Sequence, residues 1–126
     1  MTKSIISKNA PAPVGPYNQA IEAGNLVFVS GCLGLDPVTG ELGACIKCQS
    51  KKALENLEAI LKEANLSLGN VVKTTVYLTD IANFNTFNEI YAKFFEGLNY
   101  PARTCVEVSA LPKGGLVEIE AIASKD

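Results

Sequence analysis

From Ile46 to Ala64 the apolar residues recur at helical spacing. Ile46, Ala53, Leu54, Leu57, Ile60, Leu61 and Ala64 share one face, and Lys51, Lys52, Glu55, Glu58, Lys62 and Glu63 lie mainly on the other. A helix this one-sided owes its stability to whatever covers its apolar face. A second helix is expected from Asn83, a good N-cap residue, to Gly97, a good residue just past a helix end. Its apolar stripe is aromatic: Phe84, Phe87, Tyr91, Phe94 and Phe95.

The surface that covers both helices is read from the β-branched and alternating runs. "YNQAIEAGNLVFVSG" reads as two short strands turning at Gly24-Asn25, the second being Leu26 to Ser30. Tyr17 falls at a strand start and Ser30 at a strand end. "VVKTTVYLTD" reads as a strand over 71–79. Arg103 to Val108 and Leu116 to Ala123 complete the set, joined by "ALPKGG". "NAPAPVGP" is an extended entry loop, and "LDPVTGEL" is a turn. The order is ββαβαββ, an α+β domain with a mixed sheet and two helices on one face. Residues 1–126 form one domain, with no internal repeat or linker.

Composition narrows the chemistry. The formal charge is −2, from 13 acidic and 11 basic residues, with no basic run. A nucleic-acid binder of this size usually carries a basic face, so nucleic acid is not the expected partner. No apolar run is long enough to span a membrane, and the first residues lack the apolar core of a secretory signal. The cytoplasm is the expected location, with Cys32, Cys45, Cys48 and Cys105 as reduced thiols. Histidine is absent, which removes the commonest general base and the commonest metal ligand. Catalysis must rest on carboxylates, thiols, hydroxyls, lysine, backbone groups and one arginine.

That arginine is Arg103, in "NYPARTCVEVSAL"; every other cationic side chain is a lysine. By alternation Arg103, Cys105 and Glu107 point one way, and Thr104, Val106 and Val108 the other. The valine side suits the helix-covered core, which leaves Arg103 and Cys105 on the second face beside Leu116, Glu118, Glu120 and Ile122. A guanidinium there can grip a planar carboxylate through two parallel hydrogen bonds, which lysine cannot copy. It can equally form a structural ion pair with Glu118 or Glu120 across the sheet. Either carboxylate can orient or deprotonate a water, or can simply line a solvated rim. A second face that mixes apolar groups with carboxylates suggests contact with another subunit.

Other motifs carry less. Cys45-x-x-Cys48 supplies half of a zinc site, with no histidine to complete it and the other cysteines far away, so no metal is assigned. The pair falls near a helix start, where a thiol pKa can drop, but it lacks the proline between the cysteines of thioredoxin-like motifs. Two unrelated thiols are the expected reading. "KGG" at 113–115 lacks the residues of a phosphate loop. Tyr17 in "GPY" and Ser30 in "SG" can each deliver a hydroxyl to the sheet's end.

Taken end to end, the chain resembles the Rid family, the reactive enamine/imine deaminases also called YjgF. The resemblance runs through "NAPAPVGPYNQA", "VFVSGCLGLDPVTGEL", "ALENLEAILKEA" and "VVKTTVYLTDIANFNTFNEIYAKFF", and is most specific in "PARTCVEVSALPKGGLVEIEAIA". It implies a chorismate-mutase-like fold and a homotrimer with a central barrel of sheets and sites at the subunit clefts. It implies hydrolysis of 2-iminobutanoate and 2-iminopropanoate to 2-oxo acids and ammonia, without a cofactor. Such imines escape from pyridoxal-phosphate enzymes and damage others. Relatives have also been described as endoribonucleases or translation inhibitors, and a chaperone-like binding role is a further alternative. The resemblance puts carboxylate binding on Arg103 and water handling on Glu118. Tyr17, Ser30, Gly31, Asn88 and Cys105 fall on its substrate-binding positions. Cys32 departs from the pattern, which commonly has glutamine after Ser-Gly.

Overall fold

A computed structural model describes all residues, 1–126. The strands are β1 (Lys3–Ile5), β2 (Ala20–Ala23), β3 (Leu26–Leu33), β4 (Val71–Leu78), β5 (Ala102–Glu107) and β6 (Val117–Ser124); the helices are α1 (Ile46–Glu63) and α2 (Phe84–Phe94). They build one mixed sheet in the order β1-β2-β3-β6-β4-β5, with both helices packed on one face. Only β4 and β5 run parallel, and α2 is the crossover between them. No helix is long and apolar enough to cross a membrane.

The two helices and the hairpin stand where the sequence puts them. Ala23 pairs with Leu26 across a two-residue turn, and Gly24 takes a φ of +59° that suits glycine there. Leu54, Leu57 and Leu61 of α1 are fully buried, as are Phe87 of α2 and Phe95 just past its end. They meet Val76, Leu78, Val117, Ile119 and Ala123 from the sheet. Among the buried polar groups, the hydroxyls of Thr74 and Tyr91 share a 2.8 Å hydrogen bond beneath α2.

Several local expectations are corrected. The N-terminal strand β1 was not foreseen; three residues are too few to display alternation, and its pairing to β2 alone defines it. Tyr17 does not start a strand, because after β1 the chain rejoins the sheet only at Ala20. Ser30 does not end one: β3 continues to Leu33, and the register with β6 slips between Val29 and Cys32. Ser30 and Gly31 therefore form a bulge inside the strand. Asn83 makes no side-chain cap. The chain enters α2 through a 3₁₀ turn at Ile81–Asn83, and Asp80 caps that turn by accepting from the Ala82 N–H at 2.9 Å.

The face assigned to Arg103 is also corrected. Arg103 pairs with Thr74, and Thr74 with Ala121; Cys105 pairs with Val76, and Val76 with Ile119. That row lies under the helices. Val106 instead shares a row with Tyr77 and Glu118, and Thr104 with Thr75 and Glu120, on the open face. Apolarity failed as a guide because the open face is itself partly apolar, with Phe28 and Val106 exposed.

Leu57→Ala should lower stability by about 2–5 kcal/mol through lost transfer energy plus a cavity. Urea unfolding followed by circular dichroism should show the midpoint fall with little change in slope.

Candidate active site

The residues anticipated for the site fall into two groups on opposite faces of the sheet. The first lies at a cavity of about 470 Å³ between the entry loop, the β3 bulge and β6. Tyr17, Ser30, Gly31 and Glu118 all line it. The entry loop is held by buried Gln19, whose Nε2 donates to the carbonyls of Ser7 (3.2 Å) and Pro11 (2.8 Å) and whose Oε1 accepts from the Ser7 N–H (2.6 Å). Tyr17 folds back so that its hydroxyl accepts from the Val14 N–H at 3.3 Å. Ser30 Oγ donates to the Asn18 carbonyl at 2.6 Å, which ties the bulge to the same loop.

At the bulge it is contact with a side chain, rather than φ, that glycine accommodates. A β-carbon at Gly31 would lie 2.6 Å from Glu118 Cδ. The carboxyl group therefore lies directly over the bulged backbone. Burial raises its pKa above the ordinary glutamate value, and the charge of Glu120 adds to the effect. Glu120 accepts a 2.6 Å hydrogen bond from the Tyr77 hydroxyl. Cys32, the departure noted in the sequence, is buried behind the bulge. Its thiol is pushed up to about 12 by burial and then by Glu118, so it stays protonated and inert.

The second group lies under α2 at the sheet's edge. Arg103 places Cζ 4.8 Å from the Tyr91 ring centroid, 5.6 Å from Phe84 and 5.9 Å from Phe87. These distances are those of cation–π contacts. No carboxylate pairs with it: the ion pairs of the chain are Lys52–Glu55 and Lys125–Glu22. The structural ion pair to Glu118 or Glu120 is thus overturned, since those carboxylates belong to the opposite face. Asn88 lies between Phe84 and Tyr91 along α2, and its Oδ1 is buried without a hydrogen-bond partner. Cys105 is half-buried; burial raises its thiol pKa, with Arg103 opposing. An unpaired guanidinium on an aromatic platform leaves its donor edge free for a planar anion.

Comparison with known proteins shows the family. The endoribonuclease L-PSP family profile matches residues 7–125. A RutC family protein of Pyrococcus horikoshii is 52% identical over 127 residues, covering 100% of both chains. The 2-iminobutanoate/2-iminopropanoate deaminase of Escherichia coli K12 is 46% identical over 125 residues, covering 98% of both. The chain belongs to the Rid family. Among solved structures, E. coli TdcF with bound serine superposes on this Rid protein with a TM-score of 0.96 and 44% identity, over 98% of this chain and 99% of the other.

Some features of the site in this Rid protein were not legible in sequence. Gln19 carried only the weak signal of a polar residue next to a strand. Tyr77 could be linked to Glu120 and Glu118 only once β6 was known to pair with β4.

Gly31→Ala should leave the melting temperature near that of the parent, because the obstructing atoms end a flexible side chain. It should nonetheless displace Glu118. Carbon-detected NMR of the glutamate carboxyl groups should show that resonance and its titration shift.

Proposed function

We propose that this protein hydrolyses small 2-imino acids to 2-oxo acids and ammonia, as a cytoplasmic homotrimer with its sites between subunits. The observation that carries the proposal is the guanidinium of Arg103, which lies on an aromatic platform with no carboxylate paired to it. Such a group suits a small anion with a planar carboxylate. The 46% identity to a deaminase named for two such imines supports the same chemistry.

One chain holds the carboxylate-binding group and the water-handling group on opposite faces. A shared site between neighbouring subunits, with Arg103 from one facing Glu118 of the next, joins them. The partly apolar open face, with Phe28 and Val106 exposed, suits burial in such an assembly.

In the proposed reaction Arg103 holds the substrate carboxylate through two parallel hydrogen bonds. Glu118 accepts a proton from water as its oxygen attacks the imine carbon. Glu118 returns that proton to the nitrogen of the tetrahedral carbinolamine; the C–N bond then breaks to release ammonia while the carbinolamine hydroxyl gives its proton to the Glu118 carboxylate, leaving the 2-oxo acid. Burial, and then the charge of Glu120, raises the pKa of Glu118 above the ordinary glutamate value, which makes it a stronger base for taking the proton from water. An iminium is already electrophilic, so positioning supplies much of the acceleration, and neither histidine nor a cofactor is needed. Cys105 serves packing and backbone placement. RNA hydrolysis has no comparable support: the chain has no histidine and a net charge of −2.

The test generates 2-iminobutanoate or 2-iminopropanoate in situ and follows 2-oxo acid release. Arg103→Lys should lose at least about 100-fold in kcat/KM, or 2.7 kcal/mol of transition-state stabilisation, while remaining folded. Full activity in that variant would refute the carboxylate grip. Cys105→Ala should keep most of the activity. Subunits carrying Arg103→Ala and subunits carrying Glu118→Gln should be inactive alone but recover activity when mixed and reassembled, because some clefts regain both groups. Failure to recover in well-formed mixed assemblies would show that the site is not shared.

A further inference from the structure

The motif left outside the imine site is Cys45-x-x-Cys48. The structure brings its sulfurs to 2.7 Å, with both residues exposed at the start of α1. Cys45 is the N-cap: its backbone is extended (φ −148°, ψ 169°), and its Sγ accepts from the Cys48 N–H at 3.3 Å. This departure from helical geometry at Cys45 turns its side chain over the first turn and onto Cys48. A disulfide needs its sulfurs at about 2.0 Å, so little closure remains.

The turn is fixed by its surroundings. A β-carbon at Gly43 would lie 2.9 Å from Cys48 Cβ, so the chain entering the helix runs tightly against Cys48. Gln49 is buried, with Nε2 donating to the Gly43 carbonyl at 2.9 Å and Oε1 accepting from the Leu116 N–H at 2.8 Å. The two thiols therefore sit on a preorganised turn anchored to the sheet. No cluster of three or more histidine, cysteine or acidic side chains surrounds them, which leaves a tetrahedral metal site unfurnished.

We propose that Cys45 and Cys48 form a reversible dithiol–disulfide couple that exchanges with small-molecule disulfides, with Cys45 as the attacking thiol and Cys48 as the resolving one. The Cys45 thiolate attacks one sulfur of a small disulfide, forms a mixed disulfide and releases one small thiolate. Cys48 loses its proton to solvent and attacks Cys45 Sγ. The Cys45–Cys48 bond forms as the mixed disulfide breaks, and a second small thiolate leaves. Two protein thiols are oxidised, and one small disulfide is reduced to two thiols.

The division of roles follows the local hydrogen bonds. The side-chain contact with Cys48, then the Cys48 N–H, holds the Cys45 thiol below its ordinary pKa; the same contact raises that of Cys48. Cys32 is buried and Cys105 half-buried, so neither competes. The couple is independent of the imine reading.

The test equilibrates the full-length protein with mixtures of reduced and oxidised glutathione. Free thiols are then trapped by alkylation, and the products are weighed and mapped by mass spectrometry. One intramolecular bond between Cys45 and Cys48, reversed by dithiothreitol, is the expected product. Cys48→Ser should accumulate a mixed disulfide with glutathione at Cys45. Cys45→Ser, which keeps a good N-cap residue, should react about tenfold more slowly at pH 7. Two freely alkylated thiols after exposure to oxidised glutathione alone would overturn the proposal, as would bonds to Cys32, to Cys105 or between chains. Equal rates in the two variants would overturn the assignment of the attacking thiol.

Discussion

Everything in this fold hangs on β6, which is bonded along both edges, to β3 and to β4. Its alternation divides the molecule. Val117, Ile119, Ala121 and Ala123 are buried beneath the helices, while Glu118 and Glu120 look out from the other side. A one-residue slip would bury the carboxylates in the core, a cost far above that of ordinary mutations, so the register is strongly determined. The core and the position of Glu118 are thus fixed by one and the same pairing.

Chemistry enters where neighbouring strands depart from regularity. The bulge at Ser30–Gly31 bends β3 towards Glu118, and the missing β-carbon of Gly31 admits the carboxyl group. On the other face the aromatic stripe of α2 serves two ends. Phe87 and Phe95 fill the core, while the rings of Phe84, Phe87 and Tyr91 also surround the Arg103 guanidinium. A single amphipathic helix thereby gives both burial and an aromatic platform for the half-buried guanidinium.

The helices and the Gly24-Asn25 hairpin were legible because their signals are local: a period of 3.6 residues, and a glycine where positive φ is needed. Arg103 and Glu118 could be singled out by their chemical type. Their relation could not be read, because it depends on which rows meet across β4. Alternation showed that Arg103 and Cys105 share a face but not which face, and the valines beside them pointed to the wrong one. The Ser30–Gly31 bulge was hidden because a slip in pairing is a property of two strands. The cysteine pair shows the same limit: three residues of separation leave the sulfurs' distance open until the extended backbone at Cys45 sets it.

β5 is an edge strand, paired only to β4, and it carries Arg103. A strand bonded along one side opens at lower free energy than one bonded along both, so its amides exchange with solvent sooner than those of β6. The group proposed to hold the substrate anion therefore stands on one of the less secure parts of the sheet. Anything that clamps β5, whether a neighbouring subunit or a bound anion, slows that opening. Ligand binding and the rigidity of this edge are then two measures of one free energy.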